Sequence, residues 1–105
     1  MAWMYLFLAG LFEIFWAYWM KKSEGFTMLT PSIITLIGMI LSIVLLSWSM
    51  RTLPLGTAYT IWTGIGAVGA FIVGFVMLGE TFTLMRLTAA LLILSGIIMM
   101  KVSFE

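Results

Sequence analysis

The sequence predicts an all-α membrane protein with four transmembrane helices in one domain, residues 1–105. Of its residues, 64% are hydrophobic and 9% are charged, and the mean hydropathy is +1.23. A soluble domain has about 45–50% apolar and ~25% charged residues. A transmembrane helix needs about 20 apolar residues, so four such segments with short connections use the whole length. Strands are excluded because the edges of an open sheet would stay unpaired in lipid.

The residue types that are absent from the sequence limit which ligands and reactions the protein can support. The chain has no cysteine and no histidine, which excludes disulfides and makes zinc, haem and histidine-based catalysis improbable. Its net charge of +1 provides no basic field for nucleic acid. We therefore expect neither an enzyme nor a cofactor or metal site. Carboxylates, hydroxyls, aromatic rings and a few cations remain for function.

The first span covers about residues 3–20 and ends at Lys21 and Lys22. A signal peptide would have its basic residues before the apolar run, so we expect this span to be retained. The second span covers about 31–50, with Pro31 in the first helical turn, where proline is tolerated. The third covers about 57–78 and is broken by Gly79, and the fourth covers about 84–101.

The Lys and Arg residues that flank the four spans predict almost no preferred orientation of the chain in the membrane. One side of the membrane would collect Arg51 and Lys101, and the other Lys21, Lys22 and Arg86. Such a small difference is either chance in a short chain or a sign of dual topology, in which copies insert both ways. Four spans of this length cannot enclose a polar path alone. A transporter built from them should be at least a dimer, and oppositely inserted copies would form an inverted repeat.

Glu13 is the one acidic residue in an otherwise apolar first span. A carboxylate at the bilayer centre costs at least ~2.5 kcal/mol, and such residues bind protons or cations by default. Gly10, Trp16 and Ala17 share its helix face. The indole of Trp16 can donate a hydrogen bond to the carboxylate or stack on a cation. The alternative is that Glu13 only joins helices and Trp16 is an interfacial residue.

Polar and aromatic residues of the second and third spans can complete a cation site. Ser42 lies at a depth similar to Glu13, although it could instead bond within its own helix. Tyr59 and Trp62 are three residues apart and share a face, followed by Thr63. We expect these side chains to line the cation site.

Glycines and small residues predict bends and contacts. Gly64 and Gly66 favour a hinge in the third span, or else close helix packing. In the fourth span Ala89 and Gly96 are seven residues apart on one stripe, which suits a dimer seam. Lys101 is either a snorkelling anchor or an electrostatic partner in the vestibule.

Over nearly its whole length the chain resembles the small multidrug resistance family. The resemblance rests on Gly10, Glu13, Trp16 and Lys21, on residues 25–27, 52–59 and 62–66, and on Gly96 and Lys101. The stretch from Pro54 to Gly66 is highly specific. Trp16 after Glu13, the Trp-Thr-Gly-Ile-Gly run at 62–66 and Lys101 resemble the guanidinium-exporter branch. Two residues depart from the family pattern: position 60 is usually a small apolar residue and is Thr60 here, and position 89 is often glycine and is Ala89 here. Thr60 would line a portal between helices.

The resemblance implies an antiparallel, dual-topology homodimer in the bacterial inner membrane. Two copies of Glu13 would bind either protons or guanidinium, with Trp16, Ser42, Tyr59 and Trp62 around them and Gly10 and Thr63 in support. Neighbouring carboxylates titrate as a coupled unit, so protons and cations would compete for one site. Two alternatives stay open: efflux of quaternary ammonium or other bulky cations, and a membrane subunit that transports nothing.

Overall fold

The computed structural model describes residues 1–104, which form four helices in an all-α arrangement. Helix α1 is Ala2–Lys22, α2 is Leu29–Ser49, α3 is Leu55–Met77 and α4 is Leu84–Phe104. Each is long and apolar enough to cross a membrane. At ~1.5 Å per residue, 20 residues span the ~30 Å of a hydrocarbon core. The prediction of four helices, each long and apolar enough to span a membrane, is confirmed.

The loops satisfy the helix ends with their own side chains and backbone. After α1, the buried Ser23 hydroxyl donates to the carbonyl of Met20 (2.6 Å) and accepts the amide of Phe26 (3.1 Å). The chain then turns at Gly25, whose φ of 74° favours glycine. After α3, the amides of Leu78 and Glu80 both donate to the carbonyl of Gly74. Short connections of this kind keep consecutive helices antiparallel.

Helix α1 is the central element. It packs against both α2 and α3, which contact each other little, while α4 packs along α3. A buried apolar cluster lies between the first three helices at one end: Leu6, Ala9, Leu46, Leu53, Ala58 and Ile61. Residues of α1 are therefore held from two sides, which suits a site that must keep its geometry.

The chain is a thin slab, 42 × 34 × 16 Å along its principal axes. Helices pack with axes 8–10 Å apart, so the slab formed by the described residues is about two helices thick. Most of α4 is exposed, including Leu92 at 69% and Met99 at 70%. Such faces suit lipid or another protein surface.

We predict that Ser23→Ala lowers the free energy of unfolding by about 1 kcal/mol, because it leaves a buried helix end without its hydroxyl partner. Unfolding in mixed detergent micelles measures this change. Ser32→Ala is the matched control, since the Ser32 hydroxyl donates to the Met28 carbonyl in the exposed first turn of α2. Equal losses in the two variants would contradict the role given to Ser23.

Candidate functional site

Glu13 lies on α1 where this helix contacts α3. Its side chain is half-buried and its carboxyl group rests against Gly66, with no side chain between it and the α3 backbone. Within residues 1–104, its Oε1 atom is buried and has no hydrogen-bond partner. An ionised carboxylate oxygen can only accept hydrogen bonds, and a buried acceptor without a donor is costly. The Oε1 atom could be satisfied by a proton, or by an N–H donor from outside the described residues.

Trp16 is near Glu13 in sequence but does not bond to it. The side chain of Trp16 lies against Gly38 of α2, and its Nε1 is also buried without a partner among the described residues. The hydrogen bond that the sequence suggested between this indole and the Glu13 carboxylate is not formed within the chain. The site thus contains one free donor and one free acceptor.

Ser42 connects the site helices in a different way from the one expected. Its buried hydroxyl donates to the carbonyl of Ala9 (2.7 Å) and accepts the indole N–H of Trp62 (3.0 Å). In an α-helix the carbonyl of residue 9 also accepts the amide of residue 13. Ser42 therefore fixes the turn that leads to Glu13, and does not contact the Glu13 carboxylate. Sequence reasoning missed Ala9 because a backbone carbonyl has no residue-type signal.

Tyr59 and Trp62 come together on α3 as their spacing predicts. Their ring centroids are 5.5 Å apart at an angle of 56°. Tyr59 is 53% exposed, and it lines an open cavity of about 370 Å³ with Thr60, Thr63, Gly64, Ala67 and Ile93. A cation within ~6 Å of such rings is attracted by their π-faces. This part of the site opens away from α1.

The glycines named from the sequence lie at helix contacts. Gly10 of α1 faces Ile65 of α3, and Gly64 faces Ile97 of α4. Helix α3 continues without a break through Gly64 and Gly66. The sequence marked Gly66 as a hinge but gave no sign that it faces Glu13.

The remaining sequence-predicted residues lie outside this contact. Lys101 is 4.9 Å from the ring centroid of Trp3, near the start of α1. Ala89 and Gly96 are exposed on α4, and no neighbouring side chain lies where a Cβ of Gly96 would point. The single chain therefore brings Glu13, Trp16, Ser42 and Trp62 into one region, and leaves the seam residues uncovered.

Comparison with known proteins identifies the family. The model of the Small Multidrug Resistance protein family matches residues 1–94. Proteins named "Guanidinium exporter" from Citrobacter freundii and Salmonella typhimurium are each 57% identical to this chain over 98% of both lengths. One with the same name from Escherichia coli O6:H1 is 54% identical over the same share. With its four membrane-spanning helices, the chain therefore belongs to the small multidrug resistance family of membrane proteins.

Proposed function

We propose that this protein exports guanidinium and small guanidinyl cations in exchange for protons, with Glu13 as the shared site. The observation that carries the proposal is the buried, unpartnered Oε1 of Glu13 in a membrane-spanning helix. The names of the similar proteins support guanidinium as the cation. The protein is accordingly a transporter of the bacterial inner membrane and not an enzyme.

Competition at one carboxyl group couples the two fluxes. A proton neutralises Glu13, whereas a planar guanidinium supplies two parallel N–H donors to its carboxylate. The two cannot occupy the same oxygens together, so binding of one releases the other. Exchange follows if the site changes sides only when it is occupied. Tyr59 and Trp62 offer ring faces to the bound cation.

The alternative cation class is a quaternary ammonium, which would suit the open cavity beside Tyr59. Such a cation has no N–H group and cannot satisfy the buried Oε1 of Glu13 by a hydrogen bond. Guanidinium is favoured for this reason. A membrane subunit that transports nothing would give no reason for an unpaired intramembrane acceptor.

The working unit is an antiparallel homodimer in this proposal. The slab of described residues is only about two helices thick, and Thr60 and Thr63 are exposed polar residues on a membrane-spanning helix, where lipid offers no hydrogen-bond partner. A second copy would cover this face and bring a second Glu13. The seam residues Ala89 and Gly96 allow close approach of α4 helices, while Gly64 and Gly66 would absorb a change in α3 during exchange.

We expect Glu13→Gln to abolish guanidinium uptake into proteoliposomes driven by a pH gradient, because the amide neither ionises nor binds a cation as a carboxylate does. Glu24→Gln is the control, since Glu24 is exposed in the loop after α1, and it should retain uptake. Proton-coupled exchange that persists in Glu13→Gln would refute the mechanism. Wild-type uptake of tetraalkylammonium without guanidinium would favour the alternative substrate class.

Trp62→Phe should weaken guanidinium binding while keeping a ring at this position. The variant loses the donor to Ser42, so the Ser42 hydroxyl no longer holds the α1 turn before Glu13 as firmly, and the apparent Kd for guanidinium should rise. Trp48→Phe is the matched control: the Trp48 ring packs on Tyr5 of α1, 5.7 Å between centroids. Guanidinium titration by calorimetry compares them, and a similar loss in both variants would exclude a specific role for the Trp62 N–H.

Single cysteines placed at either terminus should react with a membrane-impermeant maleimide from both sides of the membrane, each to about half. The near balance of flanking cations gives the physical reason, because neither orientation is preferred. Labelling in inverted and right-side-out vesicles measures it. Reaction from one side alone would rule out dual topology.

A further inference from the structure

We propose that Gly66 is a positioning residue for Glu13, because the absence of a side chain at position 66 lets the Glu13 carboxyl lie directly on the α3 backbone. A Cβ at this position would overlap Oε1 and the carboxyl carbon of Glu13. The inference rests on the proposed function, in which Glu13 binds the transported ions. It assigns Gly66 a role distinct from that of a hinge.

Gly66 differs from other glycines of α3 in which atoms a Cβ at its position would meet. A Cβ at Gly64 would meet Ile97, and one at Gly69 would meet the δ1 methyl of Ile14. Both are apolar side chains, so a methyl group at either position would displace no charged group, although at Gly69 it would crowd the γ1 carbon of Ile14 as well as its end. A Cβ at Gly74 would meet Glu80, but Glu80 is an exposed loop residue and can swing into water. Gly66 is the glycine that gives space to the intramembrane carboxyl.

The Glu13 backbone cannot easily retreat from a larger residue at position 66. The preceding turn of α1 is held by the Ser42 hydroxyl on the Ala9 carbonyl, and Ser42 is itself held by Trp62. A methyl group at position 66 would therefore rotate the carboxyl away from α3. The bare α3 surface also points a Cα–H of Gly66 toward the oxygen, a weak favourable contact.

Spacing on α3 explains why this placement matters for the bound cation. Gly66 follows Trp62 by four residues, so the two lie one turn apart on the same face. A carboxyl group that lies against Gly66 is therefore held at a fixed position along the α3 axis relative to the Trp62 and Tyr59 rings. A misplacement of ~1 Å in a binding constellation can cost up to ~100-fold in rate.

The test compares Gly66→Ala with Gly69→Ala, two identical changes one turn apart on the same helix. We expect Gly66→Ala to raise the half-saturating guanidinium concentration in proteoliposomes about tenfold or more. Gly69→Ala introduces a similar overlap, but with the apolar Ile14 side chain and not with the Glu13 carboxyl, so its half-saturating concentration should stay close to that of wild type. Equal effects of the two changes would overturn the proposal.

A double-mutant cycle with Glu13→Asp separates positioning from hinge motion. Aspartate keeps the carboxylate but is one methylene shorter, which relieves the overlap with a methyl group at position 66. Gly66→Ala should therefore cost much less in the Glu13→Asp background than in wild type. Gly64→Ala, which does not touch Glu13, should cost the same in both backgrounds. An additive cycle for Gly66→Ala would refute positioning and leave the hinge role.

Two further measurements do not use guanidinium. They test the position of the Glu13 carboxyl group whatever ion is transported. The ¹³C signal of the Glu13 carboxyl at fixed pH should move in Gly66→Ala and not in Gly69→Ala. If Gly66→Ala is too unstable to purify in active form, its loss of thermal stability should shrink in the Glu13→Ala background, where no carboxyl is crowded. An unmoved signal or an unchanged stability loss would contradict the proposal, whereas wild type that fails to transport guanidinium would contradict the proposed function alone.

Discussion

The carboxyl group of Glu13 is the constraint on which the rest of the site depends. It sits in a helix that crosses the membrane, and one of its oxygens is buried without a donor in the described part of the chain. A charge in this place is costly, and intramembrane acidic residues are therefore rare. Two glycines determine the packing around this carboxyl group. Gly66 leaves the α3 surface beneath it without a side chain, and Gly38 lets α1 approach α2 closely at Trp16.

Hydrogen bonds around Glu13 join α1, α2 and α3 without using the Glu13 carboxyl group. Ser42 and Trp62 bond to each other and to the Ala9 carbonyl, so their polar groups are satisfied without Glu13. Among the described residues, Oε1 of Glu13 and the indole Nε1 of Trp16 have no hydrogen-bond partner. This division is useful in a transporter, because a preformed frame does not have to rearrange each time a proton or cation leaves.

The shape of the chain explains why one copy is insufficient in the proposed mechanism. Helix α1 is held between α2 and α3, but α4 packs on α3 alone and leaves most of its surface uncovered. Exposed hydroxyls and the Tyr59 ring face the same open side of α3. In the proposed dimer a second copy would cover this side, which the slab 16 Å thick leaves open.

The sequence by itself determined the membrane setting, the four helices and the central position of Glu13, because hydropathy and the cost of a buried charge act on residue type and local spacing. Local spacing also placed Tyr59 beside Trp62 on one helix face. Tertiary structure alone decided that Ser42 bonds to the Ala9 carbonyl, that Trp16 lies against α2, and that Gly66 supports the Glu13 carboxyl. Those contacts join different helices, and their geometry depends on how the helices are rotated and how closely they approach, which residue types along one span do not specify.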